Sequence, residues 1–186
     1  SSMQDSLERG ESFSPREILL LASQVSDALA HVHDMGIVHR DIKPGNIMIS
    51  GRGEDLRAVI IDFGLAHVRE FSGGSGKGAT GTFSFMSPEQ SGIIRRPVDE
   101  RSDLYSLGLT LYELATLNHP ADEISDVQLL FDRNRPAVKP LRHWNRNIPR
   151  DFETFVLKCM SEFPHERYNT ARDLADDLER FLDGRP

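Results

Sequence analysis

The stretch that decides the fold is His39-Arg40-Asp41-Ile42-Lys43-Pro44-Gly45-Asn46, and a second one, Asp62-Phe63-Gly64, begins sixteen residues beyond Asn46. The first reads H-R-D-x-x-x-x-N and the second reads D-F-G. They contain carboxylate and amide oxygens, the ligands that hard cations prefer. An Asp beside an Arg is by itself typical of a surface ion pair. The ordered positions of the first stretch together with D-F-G form a multi-part motif, and this indicates a functional site.

The composition is that of one ordinary globular domain, or of one lobe of a larger domain. Of the 186 residues, 38% are hydrophobic and 27% are charged, and a chain of this length buries about two-thirds of its unfolded surface. The net charge of -7 argues against nucleic acid as a partner, because phosphate binding requires a basic face. The longest apolar run, residues 104–117, is too short to span a membrane. We therefore expect no membrane contact from this chain and a cytoplasmic location, with any membrane anchor outside this segment.

The cysteine and histidine content excludes several kinds of site. The single cysteine, Cys159, allows neither an internal disulfide nor a cysteine-rich zinc site. It lies in an apolar helical stretch, so we interpret it as a buried small hydrophobic residue. His31 and His33 are two residues apart on a predicted helix and do not share a face, so we expect no metal pair there.

Two local elements are predicted on either side of the first stretch. Before it, Ser14-Pro15-Arg16-Glu17 predicts a capped helix start, and apolar residues recur at helical spacing until Gly36 ends the helix. After it, residues 47–49 and 56–61 predict two strands joined by a turn at residues 50–55. This hairpin would hold Asn46 and Asp62 close together, one at the start of the first strand and the other at the end of the second.

The rest of the chain predicts one long loop and several helices. Residues 62–89 show no periodicity and contain five glycines between Gly73 and Gly81; a loop of this length inside a compact domain is usually functional. The segment after Asp103 is apolar on nearly all sides, and this predicts a buried central helix. A buried Asp at its start must be paired or hydrogen-bonded. Further helices are predicted to begin at Ser125, near Phe152 and at Thr170.

These motifs resemble the catalytic loop and the metal-binding turn of protein kinases. The resemblance runs from the helix at Pro15 to Phe181, and Lys43-Pro44-x-Asn46 with Gly81-Thr82 is similar to serine/threonine kinases. Residues 81–90 and 182–186 resemble the bacterial branch of the Hanks-type kinases in particular. The resemblance implies a mainly α architecture of the α+β kinase fold. Residues 1–186 would be its C-terminal helical lobe, with a small β-hairpin carrying the catalytic loop at residues 39–46.

The resemblance also implies roles for individual residues. Asp41 would accept the proton of the substrate hydroxyl, and Lys43 would steady the transferred phosphate. Asn46 and Asp62 would hold Mg²⁺, and Met48 would lie under the adenine ring of ATP. The catalytic residues implied are thus Asp41, Lys43 and Asn46, and the residues implied to bind ATP and its metal are Lys43, Asn46, Met48 and Asp62.

Residues 62–89 resemble a kinase activation segment that opens with D-F-G and closes at Ser87-Pro88-Glu89, where the family pattern is A-P-E. A phosphate on this segment would dock on Arg40 and order the loop. The hydroxyls within reach are those of Ser72, Ser75 and Thr80, with Thr80 the first choice. Thr82 is expected to position the substrate, and phosphorylation there is expected to inhibit.

The remaining residues that the resemblance singles out are expected to be structural. Glu89 and Arg167 would form a buried or half-buried pair at the end of the activation segment. Asp103 would hold the backbone of the catalytic loop, and His39 and Phe63 complete the structural set.

We therefore expect a serine/threonine kinase that transfers the γ-phosphate of ATP to hydroxyls of a protein substrate with the help of Mg²⁺. No G-x-G-x-x-G opens the chain, and no V-A-I-K-like strand carries an ATP-gripping lysine. The N-terminal lobe is thus expected to be a missing partner of this chain, and the fragment to be inactive alone. The alternative is a non-catalytic pseudokinase or docking module. A small-molecule kinase is disfavoured by Gly81-Thr82 and the S-P-E closure.

Overall fold

The computed structural model describes residues 1–63, 84–120 and 138–185 as a set of helices with one small hairpin. The hairpin consists of β1 (Ile47–Ser50) and β2 (Arg57–Ile60). The helices are α1 (Met3–Glu8), α2 (Pro15–Asp34), α3 (Glu100–Thr116), α4 (Leu141–Trp144), α5 (Arg150–Cys159) and α6 (Ala171–Leu182). Short 3₁₀ turns lie at Pro44–Asn46, Gly53–Asp55 and Pro164–Glu166. The predicted mainly helical architecture with a two-stranded hairpin is confirmed.

Helix α2 forms where its capping residues and apolar spacing predict it. The Ser14 hydroxyl accepts a hydrogen bond from the Glu17 backbone N–H at 3.2 Å, and the Glu17 carboxylate accepts one from the Ser14 N–H at 2.9 Å. Pro15 occupies the first turn, where its missing N–H costs nothing. Gly36, just past the helix, takes the left-handed φ of 74° that favours glycine. The buried face packs against α6, α3 and β2.

The hairpin brings the two ends of the predicted site together. β1 and β2 pair antiparallel, and Met48 lies opposite Val59 on the exposed face. The backbone N–H of Ile61 donates to the Asn46 carbonyl at 2.9 Å, which continues the ladder by one step. Because Asp62 directly follows Ile61, Asn46 and Asp62 lie at the same open end of the hairpin, as the sequence predicts.

The second strand is shorter than the predicted range of residues 56–61. The side chain of Gln24 on α2 donates to the Leu56 carbonyl and accepts from the Ala58 N–H, both at 2.9 Å. A side-chain amide thus takes the place of a strand partner on the outer edge of β2. This contact ties the hairpin to α2.

Helix α3 is the buried central helix that its apolar composition predicts. Fourteen of its seventeen residues are buried, and it packs against α2, α4, α5 and α6. The Asp99 carboxylate caps the helix by accepting from the Arg101 N–H at 3.0 Å. Leu117 ends it with a left-handed φ of 57°. None of the helices that the structure describes is long and apolar enough to cross a membrane.

The other helices differ in how well their sequence indicates them. The predicted helices at Phe152 and Thr170 are present as α5 and α6, and Thr170 forms a capping box with Asp173. Helices α1 and α4 have six and four residues, too few for hydrophobic periodicity to indicate them. The short helix expected from Ser125 lies outside the described residues.

The first residues of the chain pack on the hairpin. Ser2 caps α1 through a capping box with Asp5, and Met3 is fully buried. The Ser1 carbonyl accepts a hydrogen bond from the Ile49 N–H at 2.8 Å. The backbone of this segment therefore pairs with the edge of β1.

Candidate active site

Asp41 lies at the centre of a compact polar cluster. The Lys43 ammonium donates to Asp41 Oδ1 at 2.9 Å and lies 2.8 Å from Oδ2. The Asn46 side-chain amide donates to Asp41 Oδ2 and to the Asp41 carbonyl, both at 2.8 Å. The Asp41 side chain is 17% exposed. Its carboxylate is thus held in one orientation and still reached from solvent.

Asn46 and Asp62 offer oxygens of the kind that a hard cation binds. Because the Asn46 amide nitrogen makes two hydrogen bonds to Asp41, its Oδ1 is left for another partner. Asp62 has a left-handed φ of 61°, and within residues 1–63, 84–120 and 138–185 its carboxylate makes no hydrogen bond. Non-glycine residues seldom adopt this left-handed conformation, and those that do cluster at functional sites. One amide oxygen and one carboxylate fit Mg²⁺, which also takes ligands from water and substrate phosphates.

No larger metal centre competes with this pair in the part of the chain that is described. There, no three His, Cys, Asp or Glu side chains gather closely enough to bind a metal ion. Asn46 and Asp62 are the candidate cation ligands because of the oxygens that they offer.

Asp103 anchors the backbone of the catalytic loop. Its Oδ2 accepts from the His39 N–H at 2.8 Å, and its Oδ1 accepts from the Arg40 N–H at 2.7 Å. The side chain is completely buried at the start of α3. The contact that the resemblance implied for this residue is therefore present.

His33 is a contributor to the site that the sequence did not reveal. Its Nε2 lies 2.8 Å from Asp103 Oδ2, and only 8% of its side chain is exposed. The sequence indicated only that His33 does not form a metal pair with His31, since the two residues do not share a helix face. The signal that could have found it is its place on the inner side of the last turn of α2, close to the loop that Asp103 holds.

His39 connects the catalytic loop to the end of β2. Its Nδ1 accepts from the Asp41 N–H at 3.2 Å, so Nε2 carries the proton and donates to the Ile61 carbonyl at 3.0 Å. The Phe63 ring packs edge-on against the imidazole at 4.8 Å between centroids, although Phe63 is 40% exposed. The buried His39 thus ties Asp41 to the residues that lead into Asp62.

Arg40 and Gln90 link the catalytic loop to the S-P-E closure. Arg40 has a left-handed φ of 67°, and its carbonyl accepts from the Gln90 side-chain amide at 2.8 Å. Gln90 Oε1 in turn accepts from the N–H and the hydroxyl of the buried Ser87. Gln90 is a second residue that the sequence did not single out. The Arg40 Nε is buried without a hydrogen-bond partner among the described residues.

Glu89 and Arg167 form the predicted buried pair. The Arg167 guanidinium donates to the two Glu89 oxygens at 2.6 and 2.9 Å, and both side chains are fully buried. The Ser102 hydroxyl donates to Glu89 at 2.6 Å. Burial alone would raise the pKa of Glu89, but the hydrogen bonds from Arg167 and Ser102 and the guanidinium charge outweigh it and lower this pKa below its ordinary 4.5. The pair is therefore ionised at neutral pH.

The remaining predicted residues divide into exposed, buried and undescribed positions. Met48 is 37% exposed on the outer face of the hairpin. Cys159 is fully buried, and burial raises the pKa of its thiol to about 12, so the thiol is protonated and is not a nucleophile. The predicted regulatory hydroxyls Ser72, Ser75, Thr80 and Thr82 lie outside the described residues.

Comparison with known proteins gives the same assignment along nearly the whole chain. A probable serine/threonine-protein kinase of Clostridium acetobutylicum is 36% identical over 87% of this chain and 24% of its own length. The serine/threonine-protein kinases PrkC of Bacillus subtilis and PknB of Mycobacterium tuberculosis are 33% and 35% identical over 91% and 92% of this chain. These matches span 26% and 27% of the two proteins. The chain thus covers about a quarter of the length of its curated relatives.

Structural comparison supports the fold. A crystal structure of the PknI kinase domain of Mycobacterium tuberculosis, a double mutant, superposes with a TM-score of 0.68. The superposition covers 98% of this chain and 62% of the PknI chain at 21% sequence identity. The family model described as "Protein kinase domain" matches residues 1–178. With its helical lobe, its H-R-D loop and this match, the chain belongs to the protein kinase family.

Proposed function

We propose that this chain is the C-terminal lobe of an ATP-dependent serine/threonine protein kinase, with residues 39–46 as its catalytic loop. The observation that carries the proposal is the geometry around Asp41. Its carboxylate is oriented by Lys43 and Asn46 and remains partly exposed. A positioned carboxylate of this kind can accept a proton from a hydroxyl brought within hydrogen-bonding distance.

Each neighbour of Asp41 has a part in this chemistry. Lys43 places its ammonium group beside the carboxylate. Its flexible side chain can also contact a phosphate bound next to Asp41. Asn46 and Asp62 are the residues that would hold Mg²⁺, and Met48 would contact the adenine ring. When bound, Mg²⁺–ATP supplies the phosphoryl group and the cation that spreads its charge. The residues of this chain position the acceptor hydroxyl, take up its proton and hold the loop in place.

The N-terminal lobe is proposed to be supplied outside residues 1–186. The chain covers about a quarter of its relatives' length. The protein substrate, the nucleotide and this second lobe are thus the proposed partners. Activity is proposed for the full-length protein and not for the isolated chain.

The proposed regulation rests on Arg40. Its buried Nε has no partner among the described residues, and an unpaired buried guanidinium nitrogen is costly. A phosphate on Thr80, or on Ser72 or Ser75, would supply acceptor oxygens for this group. Thr82 is proposed to position the substrate. Mass spectrometry of the active full-length protein tests the idea, and full activity with no phosphate between Asp62 and Glu89 would contradict it.

The central test is Asp41→Asn in the full-length protein. The amide keeps the shape of the side chain but cannot take the proton, so we expect kcat to fall by a factor of about 10² or more. Asp34→Asn, an exposed carboxylate at the end of α2, is the matched control and should leave kcat unchanged. Near-normal turnover by Asp41→Asn would reject the assignment. A full-length parent with no turnover on any protein substrate would favour the non-catalytic docking module.

A further inference from the structure

An open groove lies behind the Glu89–Arg167 pair, on a surface that the proposed chemistry does not use. Its volume is about 800 Å³, and it runs between the segment that follows Glu89 and the turn before Arg167. One wall consists of residues 92–96, and the other consists of Glu162 and Phe163. A space of this size accommodates several side chains, whereas an ion or a water molecule would need far less.

The floor of the groove is apolar. Ile93, Ile94 and Phe163 line it, and Phe163 is 39% exposed. A phenylalanine left in contact with water forfeits much of the stabilisation that burial of its ring would give. The ring lies 5.8 Å from the His165 ring between centroids. This exposed aromatic side chain in a concave site is suited to receive an apolar side chain from another molecule.

The rim of the groove is basic. Arg95 and Arg96 are both exposed, and neither makes an ion pair with any residue that the structure describes. Among the described lining residues, Glu162 is the one acidic side chain. Two exposed arginines beside an apolar floor stand out on a chain whose net charge is -7. Arginine and aromatic residues are the types enriched at protein interfaces.

Hydrogen bonds tie both walls to the residues at the buried pair. The Gly92 N–H donates to the Glu89 carbonyl at 3.3 Å, and the Ile94 N–H donates to the Pro88 carbonyl at 3.1 Å. On the other side, the Arg167 guanidinium donates to the Glu162 carbonyl at 2.9 Å. The groove is therefore preformed, and a ligand would not have to order its walls on binding.

We propose that this groove docks a short linear segment of a protein partner, with acidic residues that meet Arg95 and Arg96 and an apolar side chain that covers Phe163. The charge of the rim selects the acidic residues, because each carboxylate can form a charge-assisted hydrogen bond with a guanidinium group. The apolar floor favours an apolar side chain of the partner as the residue that covers Phe163. The docking is separate from phosphoryl transfer, since none of the lining residues belongs to the cluster around Asp41.

The test is selection of a phage-displayed library of random 12-residue peptides on the full-length protein. Peptides that emerge should be enriched in Asp and Glu around an apolar residue, and their affinity should fall as salt rises. Arg95→Glu/Arg96→Glu and Phe163→Ser should each weaken binding by about tenfold or more, the scale of an interface hot spot. Arg146→Glu/Arg150→Glu makes the same change of charge on exposed arginines outside the groove and should leave binding intact.

The results of these experiments distinguish peptide docking from binding of lipid or DNA and from the kinase assignment. Selected peptides without acidic enrichment, or an equal loss of binding in the Arg146→Glu/Arg150→Glu control, would overturn it. Binding of phosphatidylserine vesicles or of DNA that is lost with Arg95→Glu/Arg96→Glu, without peptide binding, would assign the arginines to another class of partner. Asp41→Asn should bind the peptides as the parent does, so a failed kinase assignment and a failed docking assignment give different results.

Discussion

Asp103 shows how one buried side chain can organise a site built from distant parts of the chain. Its three hydrogen bonds reach His33, His39 and Arg40, which lie between 63 and 70 residues away in sequence. A carboxylate with no exposed surface is stable only when its oxygens are hydrogen-bonded. The position of the catalytic loop therefore depends on this residue and on its partners.

The first prediction at this scale concerns His33. His33→Ala should lower the free energy of unfolding by about 1–3 kcal/mol, because Asp103 loses a partner while it stays buried. It should also speed hydrogen exchange at the His39 and Arg40 amides, which share the same carboxylate. His31→Ala, on the exposed side of the same helix, is the control and should change neither quantity. Unchanged exchange at both amides would show that His33 does not position the loop.

The buried pair of Arg167 and Glu89 predicts a second effect on stability. Arg167→Ala removes the partner of the buried Glu89 charge, and so should lower the free energy of unfolding by about 3–5 kcal/mol in denaturant titration. The Arg172–Asp27 pair provides a control, since its side chains are 51% and 55% exposed. Arg172→Ala should cost about 1 kcal/mol or less. Equal losses in the two variants would mean that burial of the pair has no energetic weight.

The same pair predicts a pH dependence. The pKa of Glu89 is lowered in the folded state, so its contribution to stability is full above its ordinary 4.5 and is lost as the pH falls through the folded value. Glu89→Gln should therefore be less stable than the parent at neutral pH and should lose less stability on acidification. Urea titrations of both proteins between pH 7 and about pH 3 measure this difference. Parallel stability curves would contradict the prediction.

At the scale of elements, α3 is the scaffold that carries the site. Two of its buried hydroxyls, those of Thr110 and Thr116, donate to the helix carbonyl four residues earlier. The buried hydroxyls of Ser102 and Ser106 reach Glu89 and the Phe85 carbonyl outside the helix, at 2.6 and 2.7 Å. A buried helix can therefore contain polar residues without leaving them unsatisfied. Gly108 allows the end of α5 to approach, because a Cβ there would lie 2.8 Å from Met160 Cγ and 2.9 Å from Cys159 Cβ.

This close approach predicts the effect of a methyl group. Gly108→Ala should destabilise the protein by about 1–3 kcal/mol, the usual cost of overpacking, although alanine favours helices over glycine. At Gly45 a Cβ would meet nothing within 4 Å, so Gly45→Ala is the control and should be near neutral in stability. Thermal unfolding of both variants gives the comparison. A stabilised Gly108→Ala would show that α3 and α5 can separate at little cost.

At the scale of the whole molecule, four of the described helices pack against α3, and the open end of the hairpin carries the buried Asn46 and the exposed Asp62. The chain covers about a quarter of the length of its curated relatives. The nucleotide site is accordingly proposed to need residues outside this chain. The residues given for the groove beside Phe163, in contrast, belong to this chain and lie within its described part.

This difference predicts how the chain binds nucleotide. The isolated 186-residue chain should bind Mg²⁺–ATP at least about tenfold more weakly than the full-length protein, because the residues that cover the phosphates are proposed to lie outside this chain. Calorimetry on both proteins measures the two affinities. Circular dichroism of the chain confirms its helices first, so that weak binding is not a result of unfolding. Equal micromolar affinity would mean that the boundary between the lobes is wrong.

The helices were predictable from sequence where neighbouring residues provide the signal, such as a cap or a regular apolar spacing. The caps at Ser14 and Thr170, the apolar spacing of α2 and the all-apolar stretch of α3 each act within one or two turns. The hairpin was predictable as well, apart from the exact ends of β2 and the contact of Gln24 with its outer edge. Helix α1 was missed because its stability depends on burying Met3 and pairing with the hairpin.

The sequence by itself determined the family and the helical architecture, and it singled out Asp41, Lys43, Asn46 and Asp62 as candidates, because a motif with fixed spacing can be recognised without the fold. Only the tertiary structure revealed His33 and Gln90 as supports of the loop and the groove beside Phe163. Such contacts join residues that are 50 or more positions apart. No periodicity or cap encodes them, because burial and pairing at that range arise only when the helices have packed.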